Sequence, residues 1–138
     1  MATFKLYTNA GLTTEFSGTW AVTQNVDGST GMSKLQLWLG SVASGKTLQA
    51  ESNPGVDQIA ISLTDSAPGT GHAVTEMKLA TTEGGLTGAT AGAPLNLGTS
   101  LSSGVGNAVV FWVGLTDATG VTGNSTELGF TTNLLREI

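Results

Sequence analysis

A chain of 138 residues is long enough for one domain with a core, burying about two-thirds of its unfolded surface. Charged residues make up only 11%, and five Lys and Arg stand against ten Asp and Glu. The resulting net charge of −5 offers no basic stripe to displace counterions from phosphates, which argues against a nucleic-acid partner.

The chain has no cysteine, so disulfides and Cys-based metal or redox sites are ruled out. Met1 to Leu6 lack the basic start and apolar run of a secretion leader. No apolar stretch approaches the ~20 residues that span a bilayer, so no membrane partner is expected.

In chain order, Thr3–Tyr7 reads as a short strand with Phe4 and Leu6 inward, followed by a turn and a loop or edge segment from Leu12 to Phe16. Gly18–Val26 reads as a second strand, with Trp20, Val22 and Gln24 on one face. Asp27-Gly28 heads a turn cluster, and Asp-Gly between alternating runs is a strong hairpin signal. Met32–Gly40 alternates again, Leu35, Leu37 and Leu39 opposing Lys34, Gln36 and Trp38.

Next comes Gly40-Ser-Val-Ala-Ser-Gly45-Lys46-Thr47, which matches the phosphate-binding loop G-x-x-x-x-G-K-[ST] letter for letter. Such a loop works by feeding a long helix whose N-terminus faces the phosphates. Here only Leu48–Ser52 precedes Asn53-Pro54-Gly55, too short for a crossover of at least ~10–12 residues. The motif therefore reads as the tip of a hairpin leading into a Thr47–Ala50 edge strand.

Val56–Thr64 and Val74–Thr82 follow as strands, the latter with Met77 and Leu79 opposing Glu76 and Lys78. Glu83–Pro94 is Gly- and Ala-rich without periodicity and reads as a flexible loop. Leu95 and Leu97 mark a short strand. Asn107–Asp117 is apolar on both faces, as expected of a central strand or of one whose second face a partner covers. Thr126–Thr132 closes the set with Leu128 and Phe130 inward, and the tail Asn133–Ile138 adds three apolar residues with little room to bury them. About seven to nine short strands and no helical period predict an all-β fold, an antiparallel β-sandwich of immunoglobulin-like type with a jelly roll as the second choice. Residues 1–138 are expected to form a single sandwich domain.

Chemistry is sparse. His72, the only histidine, lies in a Gly-rich loop with no second His and no Cys to share a metal, and reads as a solvated loop residue. A triad through Ser62 or Ser66 lacks any nucleophile motif. Asp27, Glu51, Asp57, Asp65, Asp117 and Glu127 fall at turns and strand ends, where a carboxylate satisfies local N–H groups. Nothing pairs them for glycosidase work, and no loop has the regular acidic spacing of a calcium site. Trp20, Trp38 and Trp112 could form a sugar-stacking platform; the plainer reading puts Trp20 and Trp112 in the core and Trp38 at the surface or an interface. Asn124-Ser-Thr126 matches a glycosylation acceptor but reads as a turn.

The opening FKLYTNAGLTTEFSGTWAVTQNVDGS, the run LQLWLGSVASGKTLQAESNPGVDQIAISLTD, and APLNLGTSLSSG followed by NAVVFWVGLTD resemble small structural proteins of tailed bacteriophages. The likeness covers most of the chain and lies in turn and strand residues, such as Leu-Tyr-x-x-Ala-Gly-Leu-Thr-Thr and Ser-Asn-Pro-Gly-Val-Asp. It therefore implies no catalytic, cofactor-binding or metal residues, no cofactor and no enzyme activity. It implies a capsid decoration (cement) protein on the outer surface of the virion, a homotrimer binding the major capsid protein and stabilising the head. The alternative is a tail or baseplate module binding a host-surface glycan.

Overall fold

The computed structural model describes residues 2–138. They form an antiparallel β-sandwich of ten strands, β1 (Lys5–Tyr7), β2 (Ser33–Gly40), β3 (Thr47–Ala50), β4 (Ala60–Asp65), β5 (Met77–Ala80), β6 (Leu95–Asn96), β7 (Leu101–Ser102), β8 (Val109–Leu115), β9 (Leu128–Thr132) and β10 (Leu135–Glu137). The only α-helix among the described residues is one turn, α1 (Gly85–Gly88). No helix among them is long and apolar enough to cross a membrane.

The first layer is a four-stranded sheet in the order β1-β2-β8-β5. Its register sets Leu35 against Val113, Leu37 against Phe111 and Leu39 against Val109, so alternation along β2 and β8 sends matching apolar rows to one face. The second layer consists of two three-stranded sheets, β10-β3-β7 and β6-β4-β9. One core cluster joins Leu37, Phe111, Val113, Met77 and Leu79 to Ile61, with Leu63, Leu128 and Phe130 packed around them. The other joins Phe4 and Leu39 to Leu48, Ile59 and Leu101. Each of these fully buried side chains contributes about 1.5–3 kcal/mol, so the inner rows decide the fold.

Several local expectations change. The phosphate-loop look-alike is no hairpin: β2 and β3 lie in different layers, and Ser41–Lys46 carries the chain from one to the other. Thr47–Ala50 is the middle strand of its sheet, flanked by β10 and β7, with Leu48 and Ala50 fully buried. Glu83–Pro94 is anchored, because Leu86 of α1 is completely buried. Leu86 sits on the outer face of the first layer, where Gly114 leaves room: a Cβ there would lie 2.5 Å from Met32 Sδ and 3.5 Å from Leu86 Cδ1. The tail is also placed, since β10 pairs with β3 and Ile138 exchanges both backbone bonds with Thr47 at 2.9 Å. Leu134 and Ile138 nevertheless stay exposed. Gly18–Val26 keeps the alternating burial expected of a strand but joins no ladder.

A side chain extends the β4–β9 ladder by one step beyond Ile61 and Thr132. Asn133 Oδ1 accepts from Ala60 N–H at 3.0 Å, and its Nδ2 donates to the Gln58 carbonyl at 2.9 Å. The Asn53-Pro54-Gly55 turn forms as expected, Asn53 adopting φ +54° and its carbonyl accepting from Val56 and Asp57.

Candidate functional site

The pairing that builds the core also builds the outer face of the first layer. Tyr7, Trp38 and Val110 lie in one row across β1, β2 and β8; Gln36, Trp112 and Ala80 lie in the next; Lys34, Gly114 and Lys78 lie in the third. Trp38 and Trp112 are thus diagonal neighbours on the two central strands. Leu12 covers one end of this face, its Cδ1 2.9 Å from where a Gly40 Cβ would stand. Leu86 and Met32 cover the other. Between them Trp38, Val110 and Trp112 remain half-buried. Lys34 reaches Glu83 at 3.4 Å, and Lys78 Nζ donates to the Thr87 carbonyl at 3.3 Å, so the basic rim also ties down the α1 segment. Of the three tryptophans only Trp20 packs against the core; Trp112, expected there, faces outward.

His72 is not solvated. Its side chain is only 13% exposed, and Nδ1 donates to Glu76 Oε1 at 2.8 Å. Glu76 Oε2 accepts from Ala73 N–H at 2.6 Å, while Glu127 Oε1 accepts from the backbone N–H of His72. Ligand atoms of His72, Glu76 and Asp117 all lie within 4.8 Å of one another. The hydrogen bond to Glu76 raises the His72 pKa, burial opposes it, and the charges of Glu76, Asp117 and Glu127 add to the rise. Burial pushes the Asp117 carboxyl up, but the N–H and hydroxyl of Thr119 and the charge of His72 outweigh it and leave the pKa lowered. No motif in the chain announces this cluster, because its members come from a loop, a 3₁₀ turn and two strand ends spread over 55 positions. The imidazole and two carboxylates are a donor set that a divalent cation accepts. The ring of His72 hydrogen-bonds Glu76. The cluster works as a clasp between the loops after β4 and β8. Asp27 and Asp65 keep local roles, capping Ser29 N–H and Ala67 N–H at 2.9 Å each.

In the look-alike loop Ser41 turns inward, while Ser44 and Lys46 are exposed. Ser41 is fully buried, its Oγ donating to Thr3 Oγ1 at 2.7 Å and accepting from Ala43 N–H at 3.1 Å, while its carbonyl accepts from Gly104 N–H at 2.7 Å. Lys46 N–H is taken by Ser103 Oγ at 3.0 Å. No helix follows Thr47, so the backbone N–H array that holds a triphosphate is missing. Val42, Val105 and Ile138 stand exposed around this pole. Comparison with protein-family models, curated proteins and solved structures finds no match for this chain.

Proposed function

We propose that this chain is a non-enzymatic virion structural protein of a tailed bacteriophage, a capsid decoration protein that binds the major capsid protein on the outer surface and stabilises the head. The observation that carries the reading is the outer face of the first layer. A central pair of tryptophans with Val110, rimmed by Lys34, Gln36, Lys78 and Glu83, has the make-up of a protein-binding surface: apolar and aromatic at the centre, polar at the edge. The sequence likeness to phage structural proteins supports the same role. An immunoglobulin-like form of the sandwich belongs to this reading, supported by a four-stranded sheet packed on a second antiparallel layer.

The copy number in purified virions tests it. A decoration protein is present in hundreds of copies, and Trp38→Ala with Trp112→Ala lowers that occupancy about tenfold, as loss of two central anchors would. Absence from the particle overturns the proposal. The same tryptophan pair favours one second reading, a tail or baseplate module that stacks host-surface sugars. A handful of copies per virion, with tryptophan fluorescence quenched by oligosaccharides, selects that reading.

A further inference from the structure

We propose that the extended segment Gly18–Val26 is an unpaired strand, completed by the same segment of a second copy in antiparallel pairing about a two-fold axis at Val22. From Thr19 to Asn25 the chain runs without helix, turn or bend. Trp20, Val22 and Gln24 are half-buried, while Thr19, Ala21, Thr23 and Asn25 are exposed. That alternation is the geometry of a strand.

The segment is fixed in place. Phe16 N–H donates to the Leu6 carbonyl at 2.8 Å, and its ring stacks on Phe130 with centroids 6.0 Å apart. Trp20 packs on the core. Gln24 Nε2 donates to the carbonyls of Gly31 and Leu115 at 2.9 Å and to Ser33 Oγ at 2.8 Å, while its Oε1 accepts from Asp117 N–H at 2.6 Å. No backbone N–H or C=O from Trp20 to Gln24 bonds another backbone group among the described residues. A rigid strand with a free set of donors and acceptors is what an added strand satisfies.

The occupant follows from charge. Exposed edges are commonly guarded by Lys or Pro, and Phe16–Val26 contains neither, nor any other charge. Each copy carries −5, so a charge-free edge is where two copies approach with least repulsion. Pairing about Val22 sets Trp20 against Gln24 and Ala21 against Thr23, with no like charges opposed. An isologous contact of this kind closes with two copies, in place of the three-fold assembly that the phage likeness implies. It stands whether or not the chain belongs to a virion.

Sedimentation and amide hydrogen exchange across a concentration series test the pairing. The expected result is a dimer in which the amides of Trp20–Gln24 gain protection as concentration rises. Ala21→Lys with Thr23→Lys opposes lysines across the axis and weakens the dimer about tenfold, whereas Ala21→Lys with Thr23→Glu forms Lys–Glu pairs and restores it. Both sites are exposed, and near-UV circular dichroism verifies that each variant keeps the fold. A wild-type monomer at every concentration overturns the proposal. So does a trimer, or an association that the double-lysine variant leaves unchanged.

Discussion

Leu86 and His72 show how much a single residue decides here. Leu86 lies in a stretch whose composition suggests mobility, yet its complete burial holds α1 against β5 and β8. Burying one leucine yields about 1.5–3 kcal/mol, comparable with the ordering cost of one or two backbone residues, so this side chain offsets a substantial part of the cost of ordering the turn. Leu86→Ala should lower unfolding free energy by about 2–5 kcal/mol in urea titration and raise amide exchange across Glu83–Pro94. For His72 the sign follows from its raised pKa, set first by the bond to Glu76. The folded state holds the proton more tightly than the unfolded chain. The stabilisation is therefore full below the unfolded pKa of about 6.5 and is lost as pH rises through the folded value. Urea midpoints at about pH 5.5 and about pH 9 should show wild type losing its advantage over His72→Gln at the higher pH.

Among the elements, those with strict two-residue alternation were legible from the sequence. β2, β8 and β9 fall where the apolar rows predicted, because a buried face on a pleated strand leaves a period-2 record; of the expected Val74–Thr82 strand only Met77–Ala80 pairs, Val74–Glu76 forming a 3₁₀ turn. Partners left no such record. Nothing in Thr47–Ala50 says that β10 will arrive from the far end of the chain to make it a central strand, and nothing in Gly18–Val26 says that no strand will flank it. The candidate site divides the same way: Trp38 was placed outward by its neighbours Lys34 and Gln36, while Trp112 needed the register to β2 before its face could be known. The His72 cluster depends wholly on tertiary contacts. β10 carries a prediction of its own. Deleting Asn133–Ile138 removes the β10–β3 ladder, the Asn133 bonds and the Glu137 bonds together, and should destabilise the fold well beyond the about 1 kcal/mol expected of a frayed end. Leu134→Ser with Ile138→Ser removes only exposed surface and should leave the thermal midpoint nearly unchanged.

The whole molecule presents two distinct surfaces. The tryptophan face lies on the outer side of the first layer, and the exposed Val42, Val105 and Ile138 surround the pole where the chain changes layers. At that pole Glu137 Oε1 accepts from Thr3 N–H at 2.8 Å, Thr3 Oγ1 at 2.7 Å and Phe4 N–H at 3.2 Å. The Thr3 hydroxyl bond leads the factors that lower the Glu137 pKa, so the grip holds at neutral pH and loosens as acid protonates the carboxylate. This grip makes the order of the strands separable from their arrangement. A circular permutant that fuses Ile138 to Ala2 through a short glycine linker, and opens instead between Gly123 and Asn124 in the exposed Val121–Thr126 stretch, should reach the parent's near-ultraviolet spectrum.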